Sequence, residues 1–213
     1  MMWMPFAGFW RDNCCCICGR VDVLPLPCNS NHIMYIASRK HKENIAEYLL
    51  YMWQIEDIIR AYNLDIDRID EAVIRPMGLD VERAHALREW YVSLIDMMRR
   101  EGVERSGHLQ INRNTLGQLV DLHRRLLSSA KYAEYSAQLY KTLPFIVELR
   151  AKGGASPAGE LETCFNALYG VLMLRLRGKE ISKGTADAVA QISKLLAMLA
   201  GYYKLDRDDK LEF

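Results

Sequence analysis

A glutamate stands in the middle of the most apolar helical stretch of this chain, residues 43–63, with the sequence ENIAEYLLYMWQIEDIIRAYN. At about 100° per residue, one broad face of this predicted helix collects apolar and aromatic side chains: Ile45, Tyr48, Leu49, Met52, Ile55, Ile59 and Tyr62. Glu56 projects from the same face. An unpaired buried carboxylate is too costly to keep, so Glu56 must find a partner, take up a proton or act in a site.

Two arginines are candidate partners for Glu56. Arg60 lies one turn further along the same helix, in the favourable acid-first i, i+4 order. Arg175 projects from the apolar arc of a second strongly apolar helix that begins at Leu161. The sequence therefore predicts a buried interhelical ion pair between Glu56 and Arg175 that fixes the packing register. The alternative is a binding or catalytic carboxylate in a polar pocket.

Two other residues could carry chemistry on apolar helix faces. A lone histidine such as His123 is usually a core residue with one satisfied ring nitrogen. Its alternative role is a ligand or general base that joins the Glu56 cluster. Cys164 has no histidine and acid near it in the sequence, which favours buried packing over nucleophilic chemistry.

A possible metal motif lies on a polar helix face. Glu82-x-x-His85 matches one element of di-iron helical bundles, but those bundles need a second copy, and the sequence contains none. A solvated helix face is therefore the favoured interpretation. We expect no metal and no cofactor.

The charge balance argues against nucleic acid as a general partner. The chain carries 28 basic and 27 acidic side chains, whereas nucleic-acid binders are usually clearly basic. One basic cluster could still contact nucleic acid as part of a helix-turn-helix: Arg113, His123, Arg124, Arg125 and Lys131. Asp121 and Glu134 dilute that cluster, and no second helix follows a glycine turn at the required distance. No apolar run reaches the roughly 18 to 20 residues that cross a bilayer.

The first 33 residues differ from the rest in composition. They hold five of the six cysteines. A zinc site could be drawn from four of these residues, although its second half lacks the usual spacing: Cys15, Cys18, Cys28 and His32. Disulfides would leave one of the five cysteines unpaired. The favoured interpretation is that natural translation starts at Met34, and that 1–33 is a non-native or disordered extension. After residue 33 a single cysteine remains, which suits a reducing cytoplasm.

The rest of the chain is predicted to be helical, because no sustained period-two alternation occurs. Asp65 and Asp80 are predicted N-caps, and Pro144 a kink or break. The predicted helices cover 43–63, 65–74, 80–101, 112 or 114 to 128, 131–150, 156–177, and 182 or 185 to 201. Short connections favour antiparallel packing. We therefore expect an all-α fold, a single helical bundle of six or seven mostly antiparallel helices in one domain, 34–203, followed by a frayed charged tail, 204–213.

Two segments carry a family resemblance. MYIASRKHKENIAEYLLYMWQIEDIIRAYNLD at 34–65 and ELETCFNALYGVLMLRLRGKEIS at 160–182 resemble an uncharacterised all-helical family of Bacteroidota, catalogued as a domain of unknown function. The resemblance covers about 34–203, and family members begin at the position of Met34. It implies a helical fold and contributes no catalytic residue.

The function expected by elimination is a non-enzymatic, cytoplasmic protein that works through protein–protein contacts, as a homo-oligomer or with a protein partner. Eleven tyrosines and ten methionines suit such a surface. The alternative is an enzyme or small-ligand binder with a polar pocket at Glu56, Arg60 and Arg175, joined by His123. A nucleic-acid-binding regulator is the third interpretation.

Overall fold

Helices account for all of the regular secondary structure in 33–152 and 158–213, the residues that the computed structural model describes. This confirms the predicted all-α class, with eight α-helices in those residues instead of six or seven. The predicted zinc ligands lie outside the described residues. No helix in the described part of the chain is long and apolar enough to cross a membrane.

The helices follow one another with short connections. They are α1 (Ile33–Glu43), α2 (Ile45–Ala61), α3 (Ile66–Ile69), α4 (Val81–Arg100), α5 (Gln110–Ser128), α6 (Ala133–Lys152), α7 (Glu160–Leu176) and α8 (Lys183–Arg207). A π-helical turn, Asp70–Ile74, and a 3-10 turn, Arg75–Met77, continue α3, and a second 3-10 turn, Ala130–Tyr132, precedes α6.

Most of the helix ends follow local signals in the sequence. Asp65, Asp80 and Ser182 are N-caps, and the side-chain oxygen of each accepts a hydrogen bond from a backbone N–H in the first turn of its helix. Gly102 and Gly178 have φ of 68° and 66° just after α4 and α7, a conformation that glycine adopts without strain. These boundaries were predicted within a few residues.

Several boundaries differ from the predictions. α6 continues through Pro144, which is exposed. α7 begins at Glu160 with Gly159 as its N-cap, whereas the predicted Ser156-Pro157 start lies outside the described residues. α8 extends to Arg207 instead of ending near Gly201. Its last turns are held by tertiary contacts that local sequence does not reveal.

The chain divides into two compact units, each with its own core. The described part of the first comprises 33–40 and 51–112, and the second comprises 41–50 and 113–213. In the first unit α4 packs on α3 and the π-helical turn, and their buried side chains are Ile69, Val73, Ile74, Leu87, Tyr91, Leu94, Ile95 and Met98. The single domain at 34–203 stays a prediction.

In the second unit α6, α7 and α8 pack against one another. Their buried core includes Tyr135, Leu139, Ile146, Leu161, Cys164, Phe165, Leu168, Val171, Leu172, Ile192, Leu195, Leu196, Leu199 and Ala200. Beyond α8, the Tyr132 hydroxyl donates to the Glu212 carbonyl at 2.6 Å, and the Arg125 guanidinium lies 4.1 Å from the centre of the Phe213 ring. The predicted fraying of 204–213 stays a prediction.

Candidate functional site

Glu56 is fully buried, and three donors satisfy its carboxylate. Oε1 accepts hydrogen bonds from the Leu109 backbone N–H at 2.9 Å and from Asn112 Nδ2 at 2.7 Å. Oε2 lies 2.6 Å from His108 Nδ1. For an ionised carboxylate, which can only accept, this contact corresponds to the histidine tautomer with its proton on Nδ1. All of these partners belong to the first unit.

His108 forms the solvent-facing end of this cluster. Its side chain is 31% exposed, while that of Glu56 is 1% exposed. The imidazole stacks on the indole of Trp53, with ring centres 4.1 Å apart and planes 14° apart. Because the carboxylate holds one edge of the ring and the indole covers one face, His108 has a fixed orientation. Sequence reasoning missed His108, which lies 52 positions from Glu56 and shares no local spacing with it.

Arg60, the other candidate partner of Glu56, pairs with Asp57 instead. Its Nη1 lies 2.9 Å from Asp57 Oδ1, and its Nη2 donates to the Val103 carbonyl at 3.1 Å and to the Gly107 carbonyl. The guanidinium therefore holds the backbone of the connection between α4 and α5. Glu56 and Arg60, one turn apart on α2, together fix this connection.

Arg175 is not the buried base that the sequence predicted. Its side chain is exposed in the last turn of α7, next to Leu174, which is 42% exposed. The buried arc of α7 ends at Leu172, so the last turn leaves the core. An exposed guanidinium does not require a buried carboxylate partner.

His123 belongs to a buried cluster in the second unit and is 5% exposed. Its Nδ1 lies 2.6 Å from the Tyr135 hydroxyl. Its Nε2 lies 3.6 Å from Glu160 Oε2, which is too long for a hydrogen bond, and this nitrogen has no hydrogen-bond partner. Burial lowers the pKa of His123, and the neighbouring Glu160 carboxylate opposes that shift. The lowered pKa favours the neutral form of the imidazole in the core.

Cys164 lies in the same core and is fully buried. Burial, together with the Glu160 carboxylate, raises the pKa of its thiol to about 12. Burial likewise raises the pKa of the Tyr135 hydroxyl. A thiol with such a pKa stays protonated near neutral pH and is a poor nucleophile. The buried packing predicted for Cys164 agrees with this environment.

The basic side chains of the predicted nucleic-acid cluster are largely paired with acids. Ion pairs join Arg124 to Asp121 at 3.4 Å, Arg125 to Asp206 at 2.7 Å and Lys131 to Glu212 at 3.5 Å. Arg125 and Asp206 also line an open cavity of about 300 Å³, together with Gln118, Asp121, Leu122, Tyr203 and Arg207. The pairing leaves little uncompensated positive charge for a phosphate backbone.

No metal cluster is found in the part of the chain that the structure describes: no group of three or more His, Cys, Asp or Glu side chains there is arranged to hold an ion. Glu82 and His85 are both exposed on α4. This placement fits the solvated helix face that the sequence favoured.

The outer face of α6 is an uncharged stripe, which we call the α6 stripe. Its members are Ala133, Ala137, Tyr140, Pro144, Val147 and Ala151, and all six are exposed. Tyr140 is 71% exposed and Val147 63%. The opposite face of α6 is buried in the core of the second unit through Tyr135, Gln138, Leu139, Thr142 and Ile146. α6 therefore presents one apolar face to its own core and a second one to solvent.

Comparison with known proteins identifies the family. The model of one protein family, described as "Domain of unknown function (DUF4924)", matches residues 34–210. No curated protein and no solved structure matches the chain. The match covers well over half of the 213 residues, and the chain therefore belongs to the DUF4924 family, a family of unknown function.

Proposed function

We propose that this protein is a non-enzymatic interaction module that self-associates through the α6 stripe. The stripe is the observation that carries the proposal. Contiguous exposed apolar surface on a soluble protein usually marks an interaction site, and tyrosine is enriched in the cores of such sites. Tyr140 and Val147 face solvent about two turns apart on one helix.

The chemistry of the buried residues argues against an enzyme. The Glu56 carboxylate already accepts hydrogen bonds from three donors, so it has little capacity left for a substrate. His123 and Cys164 lie in a closed core at 5% and 0% exposure. The paired basic residues of α5 similarly argue against a nucleic-acid regulator.

We also propose a cytoplasmic location and an origin in Bacteroidota. The location rests on the cysteine content, since the sequence holds only Cys164 after residue 33 and a reducing compartment suits such a chain. The origin rests on the resemblance of 34–65 and 160–182 to the family. Fractionation of the native cell, followed by detection with an antibody, tests the location.

Mass measurement of the full chain in solution tests self-association. We expect a dimer in size-exclusion chromatography with light scattering. Val147→Glu should shift the protein towards monomer and raise the dissociation constant of the dimer by at least about tenfold, because it buries a carboxylate in an apolar contact. The matched control is Val81→Glu, the same substitution at an 88% exposed position on α4. A monomeric wild-type protein, or equal effects of the two substitutions, would contradict the proposal.

A further inference from the structure

We propose that the partner of the α6 stripe is the same helix of a second copy, packed antiparallel around a two-fold axis. In this register Tyr140 lies opposite Ala151 of the partner subunit, and Pro144 lies opposite Val147 of the partner subunit. The inference rests on the proposed self-association and adds its geometry. Three features of α6 lead to it: the spacing of the stripe, the sizes of its residues and the charges along its edge.

The spacing is that of a coiled-coil seam. Successive members of the stripe are separated by 4, 3, 4, 3 and 4 positions from Ala133 to Ala151. This alternation is the a and d pattern by which one helix packs lengthwise against another. The proposed register pairs the members from Tyr140 to Ala151, about three turns of helix, and Ala133 and Ala137 lie beyond the paired part. The partner is therefore expected to be a helix, and each copy of this chain supplies one with the same seam.

The sizes of the side chains favour antiparallel packing. In the paired part of the stripe, the large residue Tyr140 lies at one end and the small residue Ala151 at the other. In a parallel, in-register pair, the two tyrosines would meet each other and the alanines would leave gaps. The antiparallel register places each Tyr140 against Ala151 of the partner subunit, so that a large residue faces a small one in both outer layers. Complementary volumes pack at the density of a protein interior.

The charges along one edge select the register. Glu134, Lys141 and Glu148 each follow a stripe residue by one position, and all three are exposed. In a two-fold antiparallel pair, this edge meets the same edge of the partner. The proposed register brings Lys141 beside Glu148 of the partner subunit, twice per dimer. Sliding one helix by a heptad would instead oppose Lys141 to Lys141 of the partner subunit, and like charges disfavour that register.

Cysteine cross-linking of the full chain tests this geometry. The background variant carries serine at the five cysteines of the first 33 residues: Cys14, Cys15, Cys16, Cys18 and Cys28. Cys164 is kept because it is buried, with a thiol pKa of about 12. In this background we would make Tyr140→Cys, Ala151→Cys and the double variant, oxidise each mildly, and map the disulfides by peptide mass spectrometry.

The inference predicts that the double variant forms a covalent dimer linked between positions 140 and 151. A mixture of the two single variants should also form covalent dimers linked between positions 140 and 151. Their yield is limited to the fraction of dimers that contain one copy of each variant. Each single variant alone should stay unlinked, because identical positions would lie 11 residues apart along the axis, about 16 Å. A disulfide needs Cα atoms within about 7 Å.

The other outcomes separate this inference from the proposed function. Links formed by either single variant alone would indicate parallel helices and overturn the antiparallel register, while self-association would stand. A dimeric double variant that forms no disulfide would overturn it likewise. If loss of Tyr140 makes the variants monomeric, Lys141→Cys with Glu148→Cys and a short bis-maleimide reagent repeats the test with the stripe intact. A wild-type protein that is monomeric at every concentration would overturn both proposals.

Discussion

At the scale of single residues, the sequence located a buried carboxylate but not its partners. Glu56 was recognisable because it interrupts an apolar helix face, and it is fully buried. The donors that satisfy it, His108, Leu109 and Asn112, lie more than fifty positions away. No periodicity connects residues so distant in the chain. The predicted partner, Arg175, was chosen for its place on an apolar arc, and the structure leaves it exposed.

Glu56 can be tested as a structural residue by its effect on stability. Glu56→Ala leaves two buried donors, the Leu109 N–H and Asn112 Nδ2, and the partly exposed His108 without an acceptor, and we expect it to lower the free energy of unfolding by about 3–5 kcal/mol. Glu56→Gln should cost less, about 1–2 kcal/mol, because the amide oxygen can still accept from the N–H groups of Leu109 and Asn112. Urea denaturation followed by circular dichroism measures both.

Glu89→Ala, at an exposed position on α4, is the matched control for Glu56→Ala and should change stability by less than about 0.5 kcal/mol. If the two alanine variants unfolded at the same urea concentration, the hydrogen bonds of Glu56 would not hold the fold together.

At the scale of helices, the start of a helix was predictable where its N-cap residue directly precedes it. It was not predictable where the capping side chain comes from a distant part of the sequence. Asp65, Asp80 and Ser182 cap helices that begin next to them. α5 was expected to start at Asn112 or Asn114, yet it begins at Gln110. The first free backbone N–H groups of α5 are bound by carboxylates from elsewhere.

Two glutamate carboxylates bind backbone N–H groups at the start of α5. Glu101 Oε2 accepts from the Gln110 N–H at 2.6 Å, and Glu56 Oε1 accepts from the Leu109 N–H at 2.9 Å. An acidic side chain at a helix N-terminus satisfies unpaired donors and favours the positive end of the helix dipole. No residue within α5 itself reveals this start.

The role of Glu101 at this helix start can be measured directly. We expect Glu101→Ala to lower the free energy of unfolding by about 1 kcal/mol, as the loss of an N-cap does. The Gln110 amide should also exchange its hydrogen faster, which hydrogen-exchange mass spectrometry detects. Glu104→Ala, at an exposed position in the following connection, should do neither. Equal exchange in all three proteins would show that Glu101 does not cap α5.

At the scale of the whole molecule, the all-α class followed from the sequence and the exposed face of α6 did not. α6 carries apolar side chains around much of its circumference, so periodicity alone does not decide which face is buried. The core of the second unit selects the face with Tyr135, Leu139 and Ile146, because α7 and α8 pack there. The α6 stripe is what remains outside.

A protein that buries the α6 stripe against a second copy must have a stability that depends on concentration. Folded chains associate with one another, whereas unfolded chains do not. Mass action therefore raises the midpoint temperature of thermal unfolding as the protein concentration increases. For a chain of this size we expect about 1–3 °C for each tenfold increase in concentration. Val147→Glu should reduce that dependence, since it shifts the folded protein towards monomer, while Val81→Glu should keep it. Calorimetry over two decades of concentration gives the three slopes. A flat wild-type line would mean that the α6 stripe contributes nothing to stability in solution, and that its exposure has another cause.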